Sequence, residues 1–585
     1  MTTFLPDTST RPGPARVNHR VVNQSAPRVD VNEYTSDTAL VEAVTTFGPG
    51  SPGSSGSSGS TAGTAAESTA AHAALTRIGA EVATASYQHD ADLANRISPV
   101  HHSHDRWGNR VDHIEFHPAY HRIMGYSVGQ GLHTSAWANP GPGANVLRAA
   151  GFMLVSQIEA GHGCPVSMTH AVVPALRRSP ELAEFWEPKL LSTVYDPELR
   201  DPATKQSAIF GMAMTEKQGG SDVRANTTRA VPNSDGTWSL TGHKWFCSAP
   251  QSDAFLVLAQ TSDPLDPDSR RDALSCFLVP RILPGGERNP FYVQRLKDKL
   301  GNRSNSSSEI ELDATVGWLV GEQGRGVPTI IEMVNRTRLD CIIGSAAGLR
   351  QGVAEAAWHA RHRAAFGATL IDQPAMVNVI ADLQLESEAA TWTAVRLASA
   401  HDAPDTGHEA DFRRLATAVA KYWVCKRGPH HAYESLECLG GNGYTELFPM
   451  ARRLREAPVN AVWEGSGNVI ALDVLRALAK QPAAAEAFLA EMSTTLGTDE
   501  RYDAQFRRMH ALLEAASSDP GSAAGLARQL IEALALTLQA QVLLTHAPAP
   551  VATAFLAGRL DPTTRGMEYG TLPAEVDLGA LVDRA

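Results

Sequence analysis

The sequence predicts a mainly helical protein with one small antiparallel β unit in its middle. Three observations predict this. Apolar residues recur at helical spacing over residues 70–195 and again from 325 almost to the end. Between them, for about 110 residues from 207, short apolar runs are broken by Pro, Asp, Asn and Gly. Strands and helices never alternate one for one, which disfavours a doubly wound nucleotide fold.

Each element follows from its own stretch. "AAHAALTRIGAEVATASYQ" and "ANVLRAAGFMLVSQIEAG" carry apolar residues three and four apart and read as helices. "SAIFGMAMT", "TTRAVPN", "TWSLTGHKWFCS", "DAFLVLAQT", "LSCFLVPR" and "SSSEIELD" read as strands, with "NSDG" at 233–236 as a hairpin turn. Helical spacing returns through "ARHRAAFG" to residue 367, then over 373–401, 410–438 and about 467–545. The expected organisation is a disordered tail (1–30), a helical domain (31–205) holding a Gly/Ser-rich insertion (47–68), a β domain (206–320), a helical bundle (321–479) and a helical extension (480–585). Gly48, Gly50 and Gly53 satisfy GxGxxG inside the insertion, but no strand precedes them, so the match carries no nucleotide site.

Composition narrows the function classes. At 43% hydrophobic and 19% charged residues, the chain reads as a soluble globular protein. The best membrane candidate, Leu526–Leu544, carries Arg528 and Glu532 and reads as an amphipathic or buried helix. A net charge of −12 gives no global attraction to nucleic acid, so any such binding needs a local patch. Six cysteines without CxxC spacing point to a reducing, cytoplasmic compartment. There is no GK[ST], HExxH or GxSxG motif, and His101, His102 and His104 form a local knot that reads as a polar loop rather than a metal site.

Five stretches carry chemistry, each with a plainer reading beside it. "GMAMTEKQGGSDV" ends a strand in Thr215, Gly220 and Ser221; it is either a hairpin corner or a cradle of N–H and hydroxyl donors for a flat, anionic ligand. In "GHKWFCSAPQSD", Trp245 and Phe246 offer aromatic surface for core or ligand. Glu464 in "VWEGSGN" is either a partner of the following helix dipole or a desolvated general base. The glycines of "ECLGGNGYTELFP" end a helix and allow close backbone approach. Arg363 and Phe366 share a helical face.

Together and in order, from about 75 to 480, these stretches resemble the acyl-CoA dehydrogenase family, and "MTEKQGGSDV", "NTTRA", "RLKDKLGNRSN", "CKRG" and "WEGSGN" resemble its AidB-like branch. The resemblance implies an N-terminal helical domain, a middle β-barrel, a four-helix bundle and an extra C-terminal helical domain. It also implies FAD, held across the subunits of a homotetramer. By that resemblance Met212, Met214, Thr215, Gly220 and Ser221 line one side of the flavin, and Phe246, Cys247 and Ser248 the other. Trp463, Gly465, Ser466 and Asn468 lie beside it; Arg363 and Phe366 of a neighbouring subunit meet the adenine-diphosphate half, with Gly440 and Gly441 opposite. Glu464 falls where the family keeps the base that removes an α-proton from an acyl thioester.

Four positions depart from the family pattern: Trp463 replaces a Tyr, Lys217-Gln218 replaces Pro-Gly, and Glu437 replaces a Gln. For the AidB-like branch the resemblance implies double-stranded DNA binding and protection or repair of DNA in the alkylation-damage response, with at most weak dehydrogenase activity. The alternatives are a functional acyl-CoA dehydrogenase, or a flavin-containing scaffold with neither activity. DNA binding asks for clustered cations. Residues 411–456 supply Arg413, Arg414, Lys421, Lys426, Arg427, Arg452, Arg453 and Arg455 against five acidic groups, whereas the chain from 480 has eight basic and thirteen acidic residues. The eight candidates read equally as a DNA patch or as solvated helix charges.

Overall fold

The computed structural model describes residues 21–51, 65–261 and 273–585. The expected tail as far as residue 20, and residues 52–64 of the expected insertion, lie outside the described residues. The first layer is helical: α1 (Thr38–Phe47), α2 (Ala65–Val82), α3 (Ala85–Arg96), α4 (Pro118–Gly129), α5 (Ser135–Ala138), α6 (Ala144–Ile158), α7 (Gly163–Leu176) and α8 (Pro180–Leu190). A hairpin of β1 (Val100–His104) and β2 (Arg110–Glu115) interrupts it.

The middle strands are β3 (Phe210–Ala213), β4 (Arg229–Pro232), β5 (Trp238–Cys247), β6 (Ala254–Gln260), β7 (Leu274–Pro280), β8 (Phe291–Leu296) and β9 (Ser308–Val320). β6, β4, β5, β9 and β7 pair in that order, and β7 returns to β6, closing a five-stranded barrel flanked by β3 and β8. Closure removes the unpaired edges that an open sheet would present. β6 and β7 are apolar on both faces for a structural reason. Phe255, Val257, Phe277 and Val279 fill the barrel, while Leu256, Leu258, Cys276 and Leu278 join a second core with Met168, Val172 and Leu176 of α7. The 233–236 turn forms as expected, with the Asn233 N–H donating to Thr237 O at 2.8 Å.

Long helices follow: α9 (Gly326–His362), α10 (Pro374–Ala400) and α11 (His408–Cys438), then α12 (Met450–Glu456), α13 (Val459–Val462) and α14 (Gly467–Lys480). The rest is α15 (Pro482–Ser493), α16 (Glu500–Ser518), α17 (Pro520–His546), α18 (Ala549–Phe555) and α19 (Leu578–Val582). Ion pairs tie this last group to the bundle and to α1: Arg559 reaches Asp382 at 2.6 Å and Glu386 at 3.1 Å, and Arg584 reaches Glu388 of α10 and Glu42 of α1 at 2.6 Å each. Among the described residues no helix is long and apolar enough to cross a membrane.

Two local expectations are corrected. The helix read through residue 367 stops at His362, and Ala364–Ala365 pair with Ala368–Thr369 in a small hairpin whose turn places Phe366 at φ 53° and Gly367 at φ 84°. Residues 21–30, read as disordered tail, are tied to the bundle from Asn23 on. Asn23 Nδ2 donates to Ala364 O, Ala26 O accepts from Trp358 Nε1, and buried Arg28 pairs with Glu33 at 2.6 Å.

One buried ion pair fastens the barrel to the 214–221 turn. Lys244 Nζ lies 2.8 Å from Glu216 Oε1, with both side chains fully buried. Glu216 also accepts from the N–H groups of Thr227 and Thr228, and Lys244 donates to Leu258 O at 2.7 Å. Burial acts to raise the Glu216 carboxyl, but the Lys244 charge and these hydrogen bonds prevail and hold it well below the usual carboxylate range. Lys244→Met leaves that carboxylate buried and unpaired, and is expected to cost about 3–5 kcal/mol in urea melts at neutral pH. The pair's contribution is present above the ordinary carboxylate value of 4.5 and is lost only as the pH falls below it, so the gap between variant and parent is expected to close in strong acid.

Candidate functional site

The site grows from the barrel rim. β3 delivers Met212 half-buried, and Met214 and Thr215 follow at its end. The turn closes on itself through an isolated bridge between Glu216 and Gly219. The Trp245 N–H donates to Thr215 O at 2.8 Å, which sets the end of β5 beside the turn. A Cβ on Gly220 would sit 2.5 Å from Thr215 Oγ1, whereas one on Gly219 would meet nothing. The turn is therefore tight on its inner side, while Gly219, Gly220 and Ser221 are exposed. The polar richness of this stretch serves two ends: Glu216 is an internal anchor, and the rest faces out.

Alternation along β5 sorts the next candidates. Phe246 is exposed, with Lys297 Nζ 4.7 Å from its ring centroid, and Ser248 is half-buried. The Cys247 thiol turns inward and is fully buried in the barrel core, so the structure corrects its place among the flavin-facing side chains.

Glu464 sits between α13 and α14 at φ 56°, a left-handed conformation that side chains other than Gly rarely adopt. The residue as a whole is half-buried, yet its Oε2 is closed off from solvent and has no hydrogen-bond partner. Burial pushes this carboxyl above the ordinary carboxylate range, opposed by the Thr337 hydroxyl and the charges of Lys421 and Arg338. The carbonyls around it are all engaged. Lys421 Nζ donates to Trp463 O at 2.7 Å and to Gly465 O at 2.6 Å, and Arg338 Nε donates to Glu464 O at 3.2 Å. Among the described residues the N–H groups of Glu464 and Gly465 have no hydrogen-bond partner. The Cys164 thiol at the start of α7 joins the two sides of the site. Burial lifts it to about 11, the hydroxyl of Ser248 acts to lower it and the charge of Glu464 to raise it. Trp463 donates from its ring to Asn460 Oδ1 at 3.0 Å, Ser466 is exposed, and Asn468 Oδ1 accepts from Arg528 Nε at 2.8 Å.

A second group of candidates stands apart. Phe366 is fully exposed at its hairpin tip, and the Arg363 guanidinium donates to Asn23 O. Gly440, at φ 59°, and Gly441 follow α11 in an exposed 3₁₀ turn, with Asn442 bonded to Gln24 at 3.0 Å. Exposed Tyr444 and Leu447 lie in the same turn region. Among the described residues no hydrogen bond or ion pair joins this group to Thr215, Phe246 or Glu464.

Most of the eight cations that the sequence left open between a DNA patch and solvated helix charges have partners within the protein. Buried Arg413 donates to Ala400 O at 2.7 Å and also pairs with Asp405. Arg414 lies 3.7 Å from Asp473, Arg427 holds Glu386 at 3.0 Å, and Arg455 holds Glu446 at 2.6 Å. Arg452 donates to Ile158 O, and Arg453 to Gln157 O at 2.6 Å with Glu355 at 3.5 Å. Lys421 serves the 463–465 loop. Lys426 remains exposed, without a carboxylate within ion-pair distance among the described residues.

The chain matches the acyl-CoA dehydrogenase middle domain over residues 211–315, the acyl-CoA dehydrogenase C-terminal domain over 324–479, and the N-terminal domain of the adaptive response protein AidB over 23–197. It belongs to the acyl-CoA dehydrogenase family. Within that family it is AidB-like: it is 41% identical to the putative acyl-CoA dehydrogenase AidB of Escherichia coli (strain K12), over 94% of this chain and 95% of that one. It is also 30% identical to acyl-CoA dehydrogenase family member 11 of Caenorhabditis elegans, over 76% of this chain and 72% of that relative. A crystal structure of C. elegans ACDH-11 in complex with C11-CoA superposes with a TM-score of 0.81 at 26% identity, covering 93% of this chain and 94% of that one.

Sequence reasoning missed Lys421, Arg338 and Cys164 as neighbours of Glu464. For Lys421 a signal existed: a lone cation in the apolar run "LATAVAKYWVC". Because burial raises Glu464, infrared difference spectra of the protein against Glu464→Gln are expected to retain a protonated-carboxyl band to higher pH than an exposed glutamate does.

Proposed function

We propose that the protein is a flavoprotein of the AidB-like branch that holds FAD and removes hydrogen across the α and β carbons of an acyl thioester, with Glu464 as the base. The observation that carries this reading is the enclosed, unpartnered Glu464 Oε2 on a left-handed turn beside two free N–H groups. The residues present fit the cofactor: the glycine backbone at 219, 440 and 441 faces open space, and Phe246 offers an exposed ring.

In this reading Met212, Met214, Thr215, Gly220, Ser221, Phe246 and Ser248 hold one part of FAD, and Trp463, Gly465, Ser466 and Asn468 flank it. Arg363, Phe366, Gly440 and Gly441 serve the site of a neighbouring copy in a homotetramer, which accounts for their exposure and their separation from Glu464. When bound, FAD supplies a two-electron acceptor. Glu464 takes the α-proton, and its burial brings its proton affinity closer to that of a base working near neutral pH. The N–H groups of Glu464 and Gly465 are free to donate to the thioester oxygen as charge develops there. The C11-CoA held by the worm relative supports the substrate class. Trp463 and the Lys217-Gln218 pair reshape the slot, and slow turnover is part of the proposal. Anaerobic addition of a panel of acyl-CoA thioesters to the yellow protein is expected to bleach the flavin, about 10²–10⁴-fold more slowly in Glu464→Gln. A flavin that stays oxidised with every thioester sinks the reading.

A second reading, binding of double-stranded DNA in a cytoplasmic damage response, is favoured by one cluster. Lys426 Nζ and Arg528 NH2 converge at the N-terminus of α14, 3.3 and 3.4 Å from where a Cβ of Gly467 would stand. Neither has a carboxylate within ion-pair distance among the described residues, and their mutual repulsion helps to depress the Lys426 ammonium, after burial. Duplex DNA is expected to bind in a salt-sensitive, sequence-tolerant way, and a Lys426→Ala, Arg528→Ala double variant to reduce the log–log salt slope by about 2. An unchanged slope removes this cluster from the interface.

A further inference from the structure

Lys421 stands on α11 with its side chain 1% exposed and no carboxylate within ion-pair distance among the described residues. A buried ammonium needs other partners. It finds them in two carbonyls separated by one residue, Trp463 O at 2.7 Å and Gly465 O at 2.6 Å. Arg338, itself held by Asp473 at 2.8 Å, takes the carbonyl between them. Three successive peptide oxygens are thereby drawn toward cations on α9 and α11. The residue at the centre is Glu464 at φ 56°, followed by Gly465 at φ 107°. Such a run of left-handed backbone persists only where its surroundings over-determine it.

We propose that Lys421 is a positioning residue for Glu464: by bridging the carbonyls on either side of it, the ammonium fixes the left-handed turn that presents the Glu464 carboxyl and the adjoining N–H groups to substrate. Lys421 acts through the loop and touches none of the reacting atoms. The inference rests on reading Glu464 as the base, but its test does not depend on turnover.

The charge of Lys421 also bears on the base. The titratable and charged groups facing Glu464 are Lys421 from α11, Arg338 and Cys341 from α9, Cys164 from α7, and Asp473 of α14 behind Arg338. Both cations favour the ionised carboxylate. Removing Lys421 therefore raises the proton affinity of Glu464, and any activity needing its anion is lost at a higher pH than before.

The test compares Lys421→Met and Lys421→Arg with the parent protein. The infrared titration of the Glu464 band, assigned against Glu464→Gln, is read beside amide hydrogen exchange over residues 463–466. Lys421→Met is expected to move the titration midpoint up by about one pH unit or more. It is also expected to speed exchange at Glu464 and Gly465 on the order of tenfold. Lys421→Arg is expected to restore most of the midpoint and part of the protection. A folded Lys421→Met with both readouts unchanged overturns the proposal. If that variant does not fold, Lys421→Gln, which keeps one donor group without the charge, must show the midpoint shift; an unmoved midpoint there overturns it equally. Where thioester oxidation is measurable, the acid limb of kcat/KM is expected to move by the same interval. Absence of oxidation in the parent protein sinks the base assignment, and the midpoint and exchange readouts then decide the role of Lys421 by themselves.

Discussion

A carboxylate that must be both dry and correctly aimed is the constraint on which this structure turns. Withdrawing Glu464 from water raises its proton affinity, but it also removes the solvent that would satisfy the surrounding peptide groups. The fold answers with cations rather than with secondary structure. Lys421 and Arg338 take three successive carbonyls, and the N–H groups of Glu464 and Gly465 are left over. The long helices α9 and α11 give these side chains a rigid footing.

The same economy recurs across the molecule. A chain of net charge −12 has acidic groups enough to absorb its cations, and the bundle uses them internally. Arg427 and Arg559 share Glu386, Arg584 bridges Glu388 and Glu42, and Lys244 closes on Glu216. Such pairs are expensive to break because each would strand a buried charge, so they set how helices and barrel sit together. Lys421 beside Glu464, and Lys426 with Arg528 at the start of α14, are among the cations that this internal pairing leaves without a carboxylate among the described residues.

The two groups of cofactor candidates follow different logics. Thr215 is bonded to the end of the strand that carries Phe246 and runs into Ser248, and Ser248 and Glu464 both act on the Cys164 thiol at the start of α7. Phe366 and the 440–447 turn are held out into solvent by a strained hairpin tip and a glycine-rich helix end.

Much of the architecture was legible in the sequence because local rules govern it. Helical spacing marked the bundle, broken apolar runs marked the strands, and glycines marked the end of α11 and the start of α14. Motif order grouped Thr215, Phe246 and Glu464 as parts of one candidate site. Local rules failed where long-range contacts outweigh them. Arg363 and Phe366 leave the helix that their spacing suggested, Cys247 faces the barrel interior, and residues 23–26 are held by partners more than 300 positions away. Charge was the least legible property of all. Whether Arg413, Lys421 or Arg453 points to solvent or to a buried carbonyl depends on which helix lies across from it, and spacing along one helix carries no record of that neighbour. The sequence by itself determined the order of helices and strands and singled out the candidate base; only the tertiary structure decided which charges remain free, because a charge is neutralised by proximity in space.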